Sequence, residues 1–407
     1  MHETSIPVFL LSEAVGLDDS ERDRYGRERT FAQRSGAGGD RFACEVRGRG
    51  VRLVPRRYVS LKEVAARAGV SFQTASKVLN GGEVRVAAET AERIESAARE
   101  LGYSPNTVAR SLVQRTTYTI GLVAGSFADP ALAELLIGAE SAAREQGHAV
   151  LVSNLGGSGE GNVDVVRTLV ERRVDGIVAA APQLEEDTEV AELLRRYVPC
   201  VSLHHVPGGG VPLVGSNHRD VGRMATAHLA AAGRRHIGTV TGPYRRRVVR
   251  SRLRGYEDAL RDGGLEASED LVAESDWSPA GGAAAIRLLL EREPRLDAVF
   301  VQSDLMAVGV LAGLSAAGRT VPTEVAVVSC DDLAFAAYLN PPLTTVRLPL
   351  AETGARAVEL LLQLTRGEEV DPAPVILPAE LVVRASCGRD ARDVPTTAPG
   401  RLGADHH

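Results

Sequence analysis

Gln73, Lys77 and Asn80, with Phe72 just ahead of them, are the residues whose types and spacing best suit chemistry with a structured partner. At ~100° per residue on a helical wheel they turn away from the apolar stripe Ala75, Val78 and Leu79. A face of amide, cation and aromatic suits the reading of base edges. Gln pairs bidentately with adenine, Lys donates to guanine O6 and N7, and an aromatic ring touches a thymine methyl. Such a helix needs an N-cap and a floor. Ser71 supplies the cap, and Leu61, Val64, Ala65 and Ala68, spaced i, i+3, i+4 and i+7, form a preceding helix interrupted at Gly69 and Val70. Ile94, Ala97, Ala98 and Leu101 repeat that spacing for a third helix ended by Gly102. A helix-turn-helix fits these residues, and so does a small bundle with a solvated polar face. The following SPNTVARSLVQR at 104–115 carries Arg110 and Arg115 and no acid. Too short for a stable helix alone, it suits a segment that folds when docked on DNA and, nearly as well, a plain linker.

From Tyr118 the pattern changes to short apolar runs alternating with helical segments: TIGLVAG, AVLVSN, DGIVAAA and PCVSLHH, then HIGTVTG, LVAES, DAVFVQS and VAVVSCDD. Continuous apolar strands between helices mean parallel sheets covered on both faces. Two such series predict two lobes with a cleft between them, ligands sitting beyond the carboxyl ends of the strands. The lobes are expected at 118–216 with 348–372 and at 217–347 with 373–388, followed by a disordered tail at 389–407.

A chain of 407 residues, 44% hydrophobic and 25% charged, is large enough for two or three well-cored soluble domains. Its net charge of −6 conceals an asymmetry. Residues 1–57 hold 11 basic against 9 acidic side chains and residues 58–115 hold 8 against 6, so the remainder carries ten surplus acids. Only the N-terminal part therefore offers a polyanion surface. Cys44, Cys200, Cys330 and Cys387 are scattered, which suits a reduced cytoplasm and no zinc site. No apolar run is long enough to span a membrane. GGSGEG at 156–161 fails both the P-loop and the nucleophile-elbow patterns, and no histidine has metal-ligand spacing, so neither enzyme chemistry nor a cofactor is expected. Residues 1–57 are expected to be either a disordered arm or an untranslated stretch ahead of a start at Val51, Val54 or Val59.

VSLKEVAARAGVSFQTASKVLN from Val59, RRVDGIV at 172–178, NHRDVGRMATAHLAAAGRRHIGTVTG at 217–242, RLRGYEDAL at 252–260, VFVQSDLMAVGVLAGL at 299–314 and VAVVSCDDLAFAAYLNPPLTTVRLP at 325–349 together resemble the lac repressor/galactose repressor (LacI/GalR) family of bacterial transcription regulators. The resemblance runs from Ser60 to Gly388. It implies an all-α helix-turn-helix headpiece at 58–103, a hinge helix and linker at 104–117, and an α/β two-lobed periplasmic-binding-protein-like core of parallel sheets at 118–388. It also implies base reading by Phe72, Gln73 and Lys77, phosphate contacts by Ser60, Ser71 and Asn80, and a minor-groove hinge at Asn106 through Leu112. In that hinge Leu112 wedges a base step and Ala109 lets paired helices approach. In the core the resemblance places Arg223, Tyr256, Ser303, Asp304 and Asp331 around an effector, with His204 where sugar-binding members often have aspartate. A guanidinium, carboxylates and an aromatic face suit a polyol. On the residues alone, Asp304 equally suits a helix cap, Asp331 a turn and Arg223 a surface cation.

The chain departs from the family at Lys77 for arginine, Ala87 for a capping serine, Ser303 for asparagine and Ala131-Leu132 for an aromatic pair. The function implied is a cytoplasmic, homodimeric repressor released from a palindromic DNA operator by a small-molecule, sugar-like effector. The competing reading is a solute-binding sensor that does not act on DNA.

Overall fold

Helices too short to stand alone survive by sharing a core, and the headpiece is built that way. The computed structural model describes residues 41–47, 50–56, 59–79, 86–104, 111, 116–155 and 162–388. They fall into two units, Met1–Arg115 and Thr116–His407. In the first, α1 (Leu61–Ala68), α2 (Phe72–Leu79) and α3 (Ala88–Leu101) bury Val64, Ala65, Ala68, Ala75, Ile94, Ala97 and Ala98 together. Ser60 and Glu63 form a reciprocal capping box on α1, the Ser60 N–H donating to the Glu63 carboxylate at 2.8 Å. Gly69 ends α1 at φ 64°, a left-handed conformation open to glycine at no steric cost, and Ser71 Oγ accepts the Thr74 N–H at 3.1 Å to open α2. Arg67 and Glu100, 2.7 Å apart, tie α1 to α3. At Ala87 the third helix starts with no side-chain cap, as the departure there implies.

Within the segment expected to be disordered or untranslated, β1 (Arg41–Arg47) and β2 (Gly50–Arg56) pair antiparallel, Arg41 opposite Arg56 and Arg47 opposite Gly50. Phe42, Cys44 and Val46 alternate with polar residues and alanine at period two, a strand signal too short to stand out among the surrounding charges.

The second unit holds both lobes. In the N-lobe β3 (Thr119–Ala124), β4 (Ala149–Asn154), β5 (Gly176–Ala180) and β6 (Cys200–Ser202) form a parallel sheet in the order β4-β3-β5-β6. Its faces are covered by α4 (Pro130–Glu145), α5 (Asn162–Glu171) and α6 (Thr188–Tyr197). A short strand β7 (Val214–Ser216) leads to the C-lobe. There α7 (His218–Ala231), β8 (Ile237–Thr241), α8 (Arg247–Asp262), β9 (Val272–Glu274), α9 (Pro279–Arg292), β10 (Ala298–Val301), α10 (Asp304–Ala316), β11 (Ala326–Asp331) and β12 (Thr344–Arg347) alternate as expected. The chain then returns as α11 (Leu350–Thr365), packed in the N-lobe core, and β13 (Val375–Leu377), which pairs with β7. The N-lobe thus continues through Leu377, past the expected 372, because Val375 and Leu377 pack on its core. Finally β14 (Glu380–Val382) joins the C-lobe sheet antiparallel to β12, giving the order β14-β12-β11-β10-β8-β9.

Strands β5, β8, β10 and β11 are buried along their whole length; β5 and β10 read as continuous apolar runs, and β8 and β11 as largely apolar runs that also carry the buried Thr239, Thr241, Ser329 and Asp331. Helices α7 and α8 touch backbone to backbone. A Cβ on Gly222 would lie 2.0 Å from the Arg252 carbonyl oxygen, and one on Gly255 would lie 1.9 Å from that of Arg219. That close approach sets where α8 delivers its side chains.

Candidate functional site

The headpiece presents Phe72, Gln73 and Lys77 on the exposed side of α2, above Ala75 in the core. Phe72 is 50% exposed, forgoing about 1 kcal/mol of burial that a second surface would supply. Ser60 and Ser71 are exposed, with their hydroxyls engaged in the caps of α1 and α2. Asn80, Asn106, Ala109 and Leu112 lie outside the described residues.

In the second unit the carboxyl ends of the N-lobe strands meet those of the C-lobe. The Arg246 guanidinium, beyond β8, donates to the Pro182 carbonyl beyond β5 at 2.7 Å, and the Arg247 N–H donates to the Glu185 carboxylate at 3.0 Å. Arg252 enters this cleft from α8 and is 4% exposed. One terminal nitrogen donates to the Gln302 carbonyl, the other lies 3.8 Å from the Asp331 carboxylate, and its Nε has no partner. Gln302 Oε1 and His218 Nδ1 are likewise buried without partners. Burial raises the Asp331 carboxyl well above the usual carboxylate range, with Arg252 opposing. Asp129, which caps α4 from the N-lobe, is also raised by burial, and its backbone bonds and Arg252 pull the other way. His204, at the end of β6, is pushed down to about 4 by burial and by Arg246, so it is neutral near pH 7. Burial, with Arg252 and His204 adding to it, holds His218 well below the ordinary imidazole value.

Trp277 follows β9 in a left-handed conformation, φ 71°, and lays its ring over Gly242 at the end of β8. A Cβ on Gly242 would sit 2.2 Å from that ring, so glycine is required for the ring to lie there.

Of the six core residues implied by the resemblance, His204, Ser303 and Asp331 lie at the carboxyl ends of strands. Tyr256 is 1% exposed and donates its hydroxyl to the Ile237 carbonyl at 2.7 Å, inside the α7–α8 core. The Arg223 side chain is 58% exposed and lies 3.9 Å from Asp220 on its own helix. Ser303 caps α10, accepting the Leu305 N–H at 3.1 Å. Asp304 is fully buried: it accepts hydrogen bonds from Ser329 Oγ, from Thr345 Oγ1 at 2.7 Å and from the Leu333 N–H at 2.7 Å, pinning the loop after β11. The cap that Asp304 was equally suited to make belongs to Ser303. Arg252, Gln302, His218, Asp129, Glu185, Arg246 and Trp277 were missed. Arg252 was visible as an arginine within the buried stripe Val249, Tyr256, Ala259 and Leu260, and Trp277 as the chain's one tryptophan.

A family profile for bacterial regulatory proteins, lacI family, matches residues 60–106, and one for a periplasmic binding protein-like domain matches residues 226–387. The chain is 37% identical over 344 residues to the HTH-type transcriptional regulator CelR of Thermobifida fusca, covering 81% of this chain and 99% of that protein. Among solved structures, a lac repressor dimer bound to operator and the anti-inducer ONPF is similar with a TM-score of 0.74 at 31% identity, covering 81% of this chain and 99% of that one. A transcriptional regulator CelR-cellobiose complex is similar with a TM-score of 0.63 at 36% identity, with the same coverage.

Proposed function

Because this chain belongs to the lacI family of bacterial regulatory proteins, and so is a ligand-responsive, sequence-specific DNA-binding transcriptional regulator acting in the cytoplasm, we propose that it represses transcription as a homodimer on a pseudo-palindromic operator and is released by a neutral, hydroxyl-rich effector such as a sugar. The observation that carries this reading is the joint exposure of Phe72, Gln73 and Lys77 on α2, over a headpiece core that buries the opposite side of the helix. Gln73 and Lys77 read bases in the major groove and Phe72 supplies the apolar contact. Lys77, without the planar fork of arginine, is a single-point donor. One recognition helix reads a short half-site, so a two-fold dimer reads a palindrome. Asn106, Ala109 and Leu112 are assigned to the hinge that joins the two half-sites.

For the effector, the cleft supports a neutral polyol. Arg252 donates to the Gln302 carbonyl and Arg246 to the Pro182 carbonyl, so both guanidiniums at the strand ends are already engaged within the protein. Arg252 Nε, Gln302 Oε1 and His218 Nδ1 offer hydrogen bonds to neighbouring hydroxyls, and the Trp277 ring offers a face for a sugar ring. The CelR structure was solved with cellobiose, which makes that disaccharide the first sugar to try.

The test is a gel shift on the DNA flanking this protein's own gene, with and without a panel of sugars led by cellobiose. Retardation of that DNA but not of a scrambled duplex, reversed by one sugar, is expected. Equal retardation of both duplexes would sink the operator reading.

A further inference from the structure

We propose that Glu185 is an interlobe latch: it caps α8 from the opposite lobe, so that closing the cleft and completing the first turn of that helix are one event. This rests on the reading of the cleft as the effector site.

Helix α8 opens badly by its own means. Its N-cap is Arg246 with no side-chain cap, and its first turn has no acid. Arg245, Arg246, Arg247 and Arg250 instead crowd the end where the helix dipole is positive. The carboxylate that this end lacks comes from the N-lobe. Glu185 lies in the 3-10 turn Pro182–Glu186 after β5, 8% exposed, and accepts the Arg247 N–H at 3.0 Å. Arg246 reinforces the contact by donating to Pro182 of the same turn. Both bonds run from C-lobe donors to N-lobe acceptors. Separation of the lobes would therefore break them together, returning Glu185 to water and leaving an uncapped helix end among four arginines. His204, its Nδ1 3.9 Å from Glu185, is the other titratable group against the latch.

A contact that exists only in the closed arrangement stabilises it, as a cleft ligand does, and only such differential stabilisation shifts the equilibrium. The latch thereby sets how much ligand is needed.

The experiment is hydrogen exchange on the full chain without DNA or ligand. Glu185→Ala is expected to speed exchange in the first turn of α8, on the lobe that was not altered, by about tenfold, the loss of one charge-assisted hydrogen bond. Glu185→Gln, which keeps an acceptor, restores much of the protection. Unchanged protection of that turn in Glu185→Ala overturns the latch. Should that variant fail to fold, Arg246→Met attacks from the other side: faster exchange at 182–187 supports the latch, and no change overturns it. Because neither DNA nor ligand enters this readout, its failure leaves the operator reading standing, and a failed gel shift leaves the latch standing.

Discussion

On α2 of the N-terminal unit, Phe72, Gln73 and Lys77 stand in solvent above a core made mostly of alanine, whereas at the strand ends of the two-lobed unit the charged groups are buried and mutually engaged. Arg252 faces Asp331, and Glu185 accepts a hydrogen bond from Arg247. The contrast follows from the partners. A DNA duplex brings its own charges and is met from outside, so its polar readers Gln73 and Lys77 wait hydrated at little cost to the fold, and only Phe72 forgoes burial. A small ligand must exchange nearly all its water for protein, so its polar contacts are held in place beforehand. Holding them means burying charge, which is tolerable only when the charges are paired.

The largest effect that would sharpen this comparison is at Arg252. Arg252→Ala leaves the buried Gln302 carbonyl without its donor and opens a cavity at the strand ends, and should cost about 3 kcal/mol of stability, read by denaturant unfolding. A loss below about 1 kcal/mol would mean that the buried arginine does not bear on the fold, and the contrast with the headpiece would fail. Gln73→Ala and Lys77→Ala should each weaken binding to the specific duplex by ~1–3 kcal/mol while moving the unfolding midpoint hardly at all. Fluorescence anisotropy on specific and random DNA separates the roles, since equal losses on both would make these side chains phosphate contacts. Next in size, Ala87→Ser should add ~1 kcal/mol to the headpiece by capping α3, seen as a higher thermal midpoint for the first unit. A serine without effect would show that the start of α3 is already satisfied. Smallest of all, Arg223→Ala should change stability by less than about 0.5 kcal/mol and leave sugar-induced release of DNA intact. A lost sugar response would return Arg223 to the effector site and erase the distinction drawn between it and Arg252.

Much of the fold was legible in the sequence because periodicity reports burial directly. The stripes of α1 and α3 and the largely apolar runs at β5, β8, β10 and β11 each announce their environment within a few residues. The exposed face of α2 was legible for the same reason, since on a short amphipathic helix whatever is not stripe is surface. The cleft was less so. Tyr256 and Arg252 share one side of α8, one turn apart, yet the tyrosine ends against Ile237 in the core and the arginine at the strand ends. Arg223 and Arg252 lie on adjacent helices, and only the packing of those helices decided that the second is buried and the first exposed.

The sequence by itself determined the headpiece and its outward readers, the alternation that makes two parallel-sheet lobes, and the family to which the chain belongs. Each of these is written in local periodicity or contiguous motif. Tertiary structure alone decided that Asp304 is a buried anchor for the loop after β11, that Trp277 lies over Gly242, and that Glu185 caps a helix in the opposite lobe. These contacts join residues 29 to 62 positions apart through strand ends and helix crossings, and no local spacing encodes which side chains will arrive there together.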